Sequence, residues 1–226
     1  MNIGILGTGI VGRSHAAKLS ALGHQARCGT RDVARTLAVD KPDAMGNPPF
    51  SGWLKEHSGI ELVTFAEAAA HGDVVINALH GQAALEVLKK IAPSLDDKIL
   101  MDITNPLDFS KGMPPSLFVS NTDSLAEQIQ RALPGAKVVK TLNTTNALIQ
   151  VDPRRLAGGD HHAFVSGNDA AAKARVIQYL KEWYGWEKVI DLGDITTARG
   201  AEMVLPLWLR LWGALQIPLF NFKIVR

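Results

Sequence analysis

Three glycines, Gly7, Gly9 and Gly12, stand in G-x-G-x-x-G spacing within "ILGTGIVG". The spacing alone is weak, but here it follows a short apolar run, "NIGIL", and opens a segment of helical periodicity, "IVGRSHAAKLSALG". In that setting each glycine has a physical role. Gly7 permits a tight turn, Gly9 the close approach of a pyrophosphate, and Gly12 close helix–strand packing. Amides at the helix start, aided by the helix dipole, meet the phosphate charge. The motif implies a dinucleotide.

The second strand tells which one. A site for NAD ends that strand with an acid that accepts bonds from the free ribose hydroxyls. Here the stretch reads "RCGTRD", with Thr30 and Arg31 where the acid is expected and Arg35 one helical turn further on. A carboxylate would repel a 2′-phosphate, whereas the planar arginine fork suits one. Asp32 falls after the strand end and is expected to cap the next helix. The reading is NADP(H) over NAD.

The remaining candidates lie at the carboxyl ends of later strands, where open α/β sheets hold their ligands. Three such strands are read as ending in asparagine: Asn77 in "VINALH", Asn105 in "MDITNP" and Asn143 in "VKTLNTTN". Asparagine suits a carboxamide or ribose and adds no charge, although it also favours turns. Ala78 and Leu79 are small or apolar enough to let a cofactor lie across the crest. His80 could give a proton to a reduced substrate. His15 reads as packing or surface; His161 and His162 are adjacent, face opposite sides of a strand and cannot share a metal. No other spacing resembles a metal site, and no G-x-S-x-G elbow is present.

Strand-like and helix-like segments alternate along the 226 residues, which predicts a doubly wound, mainly parallel α/β sheet of the Rossmann type. The division expected is a dinucleotide-binding domain over 1–151 and a small α/β or helical domain over 152–226, contributing a substrate cleft and a dimer interface. Residues 40–59, "DKPDAMGNPPFSGWLKEHSG", break the rhythm and read as a surface loop. Asn168 or Asp169 is placed to cap the helix that follows.

Hydrophobic residues make up 46% and charged residues 20%, as in a globular protein, and a net charge of +2 argues against nucleic acid. The single cysteine, Cys28, reads as a small core residue in a reducing compartment, so a cytoplasmic location is expected. No targeting leader is read at the N-terminus, and no membrane partner is expected. Arg210 and two prolines interrupt the most apolar stretch, "MVLPLWLRLWGALQIPLF", which reads as a core or subunit-interface helix carrying Trp208 and Trp212 at i, i+4 spacing.

The segments "GILGTGIVGRSHAAKLSALGHQARCGTRD", "KILMDITNPLDF", "AKVVKTLNTTNA" and "GAEMVLPLWLRLWGALQIPLFNFKI" together resemble the coenzyme F420-dependent NADP oxidoreductase family. The resemblance implies a dimer that passes hydride between NADP and a deazaflavin. It implies that Thr8, Gly9, Ile10 and Val11 contact pyrophosphate, and that Thr30, Arg31 and Arg35 hold the 2′-phosphate. Ala78 and Leu79 would lie near the adenosine ribose and pyrophosphate. "NALHGQAA" and Asn143 depart from the archaeal reductases on the acceptor side, and residues 47–52 are extra length that would cover the site. Three functions follow: transfer to coenzyme F420 or a flavin, reduction of a small carbonyl or imine, or a non-catalytic NADP(H) sensor.

Overall fold

The computed structural model describes residues 1–43 and 46–226. Chain order begins with β1 (Asn2–Leu6), α1 (Ile10–Ala21), β2 (Gln25–Thr30), α2 (Val33–Leu37) and α3 (Phe50–Lys55). It continues with β3 (Glu61–Thr64), α4 (Phe65–His71), β4 (Val74–Asn77), α5 (Gly81–Lys90) and β5 (Ile99–Asp102). A small pairing of β6 (Leu107–Asp108) with β7 (Ser116–Leu117) precedes α6 (Leu125–Ala132), β8 (Lys137–Thr141) and α7 (Ala147–Val151). The last elements are β9 (Ala163–Ser166), α8 (Ala170–Tyr179), β10 (Val189–Gly193) and α9 (Ala198–Leu215).

Among the described residues eight strands form one sheet in the order β10-β9-β8-β5-β4-β1-β2-β3. The six strands from β3 to β8 run parallel, whereas β9 lies antiparallel to β8 and β10 parallel to β9. From β1 the chain winds first towards β3 and then, through β4, towards β8. The strand order therefore reverses between β1 and β4, and a crevice opens above their carboxyl ends.

Both faces are covered, so the central strands are apolar along most of their length. Ile3 and Ile5 of β1, Ile76 of β4 and Met101 of β5 share one core with Leu19 of α1 and Val176 of α8. Leu6, Val75 and Leu100 share the other with Leu88 of α5 and Ile129 of α6. Neighbouring residues on a strand thus serve opposite layers, as the pleat requires. Cys28 is completely buried, which pushes its thiol up to about 12 and leaves it a packing residue.

The expected caps form. Asp32 accepts from the Arg35 amide and Asp169 from that of Ala172. One expectation is corrected. The 40–59 stretch is not all loop, because Phe50 is buried and brings α3 onto the first core; Ala44 and Met45 lie outside the described residues. His15, read as packing or surface, is packing: it is fully buried, with Nδ1 2.7 Å from the Tyr184 hydroxyl and Nε2 3.1 Å from Gln150 Oε1. Burial holds its pKa down at about 4. Among the described residues no helix is long and apolar enough to cross a membrane.

Candidate functional site

The turn between β1 and α1 explains its own residues. Gly7 has φ +122°, and a Cβ there would stand 2.5 Å from the Ala78 carbonyl oxygen. A Cβ at Gly12 would stand 2.4 Å from the Gly7 carbonyl oxygen, so only glycine lets the helix close on the loop. Gly9 differs: a Cβ there meets nothing within 4 Å, which marks an open cradle at the start of α1. The first-turn amides of Ile10, Val11 and Gly12 have no helical acceptor, and no acidic residue in that turn competes with an incoming anion.

Two cavities flank this cradle and share Thr8, Thr30 and Arg31. The outer one, about 670 Å³, is also lined by Arg35, Thr36, Lys41, Pro48 and Phe50. Asp32 also lines it, but its Oδ1 caps α2 at 2.9 Å from the Arg35 amide. Arg31 and Arg35 are exposed and form no ion pair with another described residue, so both charges are available to an anion. Thr36 Oγ1 donates to the Asp32 carbonyl and lies 2.8 Å from Thr30 Oγ1. With its proton so used, Thr36 is the acceptor of the Thr30 hydroxyl.

The inner cavity brings Gly7, Gly9, Ile10 and Val11 together with Ala78, Leu79 and His80, with Phe65 as an aromatic wall. His80 precedes α5, is exposed, and sits 5.8 Å from the Phe109 ring. The asparagines are placed differently. Asn77 ends β4 but is fully buried, its Nδ2 donating to Asp102 Oδ1 at 2.9 Å. Asn105 and Asn143 lie beyond the ends of β5 and β8, not on them, and bond each other at 2.9 and 3.0 Å. Asn143 also donates to the Ala201 carbonyl at 3.0 Å. Leu142, in the left-handed region at φ +55°, makes the turn that carries Asn143 there, a conformation costing an L-residue about 1–2 kcal/mol. All three asparagines are spent within the protein, and none lines either cavity.

Beneath the crest lies a charge cluster. Lys140 on β8 donates to Asp102 at 2.9 Å, to Glu202 at 2.8 Å and to the Thr104 carbonyl at 2.5 Å. The two carboxylates outweigh burial and hold the ammonium above its ordinary range. Arg13, which was not among the residues expected from sequence, is 8% exposed and tied to carbonyls of Thr8 and Pro48. Its place directly after Gly12 was the available signal.

Residues 2–106 match the family described as NADP oxidoreductase, coenzyme F420-dependent. Along its whole length the chain is 59% identical to a crystal structure from Arthrobacter sp. FB24, provisionally named an F420-dependent NADP-reductase, with a TM-score of 0.95 and both chains covered in full. The chain belongs to this family. The F420-dependent NADP reductase of Methanocaldococcus jannaschii is 32% identical over 147 residues, 64% of this chain and 64% of that protein. Rat metalloreductase STEAP3 is 26% identical over 211 residues, 91% of this chain and 37% of that protein. The chain therefore spans just over a third of one curated relative and under two thirds of the other. The matched residues 2–106 of this chain include the glycine cradle, Thr30, Arg31 and the β4 crest.

Proposed function

We propose that the protein is an NADP(H)-dependent oxidoreductase that passes hydride between NADP and a deazaflavin, coenzyme F420, or a flavin. One observation carries this reading: the open cradle at Gly9 shares a groove with Thr30 and Arg31, while Asp32 is turned into a helix cap. The cradle amides of Ile10 and Val11 would hold pyrophosphate. Arg31 and Arg35 would hold the 2′-phosphate, joined by Thr30 if its hydroxyl turns from Thr36. Ala78 and Leu79 give the cofactor an uncharged crest to cross. Bound NADPH supplies the hydride; the chain supplies position, which is the larger need when donor and acceptor are both cofactors. The asparagines keep this crest in shape through Asp102 and Ala201.

The 152–226 portion would form the acceptor cleft and a homodimer contact. Support for the contact comes from α9 and the residues after it, where Leu207, Leu215 and Ile217 are more than half exposed. A second reading, reduction of a small carbonyl or imine, is favoured by one observation, the exposed His80 in the inner cavity.

The deciding experiment is anaerobic mixing of the protein with NADPH or NADH and oxidised coenzyme F420, with FMN in parallel. Bleaching of the deazaflavin by NADPH and little by NADH is expected. Tight NADPH binding without bleaching of either acceptor would overturn the acceptor assignment and leave the sensor or the carbonyl reductase.

A further inference from the structure

Arg13 occupies an expensive position. It stands in the first turn of α1, where the helix dipole disfavours a cation, and little of it reaches solvent. Its side chain is nevertheless fixed at three points. Nε donates to the Thr8 carbonyl at 2.8 Å, Nη1 donates to the Pro48 carbonyl at 2.6 Å, and the guanidinium carbon lies 5.2 Å from the centre of the Phe50 ring. Thr8 belongs to the glycine cradle. Pro48 and Phe50 belong to a segment that lines the outer cavity together with Arg31 and Arg35. That segment also brings Lys41 into the same cavity. Just before Pro48 it is closed on itself, since the amide and Nδ2 of Asn47 both donate to the Asp43 carboxylate, at 2.9 and 2.8 Å.

Two nitrogens of the Arg13 guanidinium thus join the glycine cradle to the Pro48 segment of the outer cavity. We propose that Arg13 is a positioning residue for the adenosine 2′-phosphate half of the dinucleotide: it sets the wall formed by residues 39–43 and 48–50 against the cradle and thereby sets affinity for that half. The inference rests on the NADP reading given above. A guanidinium suits this role because its planar fork donates in two directions at once, which a lysine ammonium on a flexible stem does less well. Its charge, held close to the cradle, adds to the field that an entering phosphate meets.

The test uses the whole chain and adenosine 2′,5′-bisphosphate, with NADPH and NADH as companions. Affinities come from calorimetry, and exchange of the amides of residues 46–55 is followed without ligand. Arg13→Met is expected to weaken bisphosphate and NADPH binding about 10–100-fold, the effect of losing hydrogen bonds from a charged group, and to speed amide exchange in the wall. Arg13→Lys should recover part of both; if the methionine variant does not fold, the lysine variant is read by the same two measurements. Faster exchange with unchanged affinity would show that the wall is no part of the site, and unchanged exchange would show that Arg13 does not hold it; either overturns the proposal. Wild-type protein that binds NADH as well as NADPH would overturn the NADP reading and this proposal with it. Wild type that prefers NADPH, beside an unaltered Arg13→Met, overturns the role of Arg13 alone.

Discussion

Glu202 on α9 meets Lys140 on β8 at 2.8 Å, with both side chains inside the protein. The same carboxylate accepts the amides of Leu125 and Ala126 at 2.8 and 3.1 Å, where α6 begins, and so serves an ion pair and a helix start at once. Removing one member of such a cluster strands the others. Lys140→Met should destabilise the fold by about 3–5 kcal/mol, because Asp102 and Glu202 would remain as buried carboxylates without their cation. For a chain of this size that loss lowers the melting temperature by roughly 6–20 °C. Calorimetry checks it, and a change below about 1 kcal/mol would show that the pair is dispensable.

The two glycines on either side of Val11 should separate binding from folding. Gly9→Val adds a Cβ that meets nothing within 4 Å and is expected to leave the melting temperature nearly unchanged while abolishing NADPH binding. Gly12→Ala drives a methyl group into the Gly7 carbonyl and should destabilise by about 1–3 kcal/mol. Thermal melts with a fluorescence titration decide both.

Arg31→Ala should weaken NADPH binding by about 10–100-fold, the worth of a hydrogen bond to a charged group, and NADH binding by far less. Equal losses for the two nucleotides would remove the 2′-phosphate from Arg31. The comparison is a pair of titrations at one salt concentration, because screening changes exposed charges.

His15 gives a pH dependence of known sign. Its folded pKa, about 4, lies below the unfolded value of 6.5. Unfolded chains therefore bind the proton first, so the contribution is complete above pH 6.5 and is lost as pH falls towards 4. Between pH 6.5 and 5 the loss is about 1.5 kcal/mol by linkage. His15→Gln, which does not titrate, should flatten that part of the urea-midpoint profile; an unchanged slope would assign it to other groups.

His80→Ala separates the two catalytic readings. Transfer between two cofactors needs no proton from an imidazole, so turnover with a deazaflavin or flavin should stay within about threefold, whereas a carbonyl or imine reductase should lose roughly 100-fold or more. Steady-state rates with NADPH affinity measured alongside give the answer.

Much of this was legible in the sequence because the signals are local. The apolar runs, the glycine spacing and the caps at Asp32 and Asp169 each depend on neighbours a few residues apart. Helix α3 was not legible, since two prolines and two glycines surround a helix held by the packing of Phe50, Trp53 and Leu54 and by Arg13. Asn77, Asn105 and Asn143 were found where the strands end or just beyond, but their side chains are engaged by Asp102, by each other and by Ala201. Nothing in the spacing tells a crest asparagine that faces a ligand from one that ties loops together. Lys140, Asp102 and Glu202 are far apart along the chain and read as ordinary charges until the fold brings them together.

Ala201 and Glu202, neighbours on α9, therefore anchor the turn after β8 and the beginning of α6 from the far end of the chain. A fragment ending at residue 151 would keep every glycine of the cradle, together with Thr30 and Arg31. It would also keep Lys140 without one of its two counter-charges and leave the amides of Leu125 and Ala126 unanswered. The nucleotide signature is confined to the front of the polypeptide, but its upkeep is shared with the last helix.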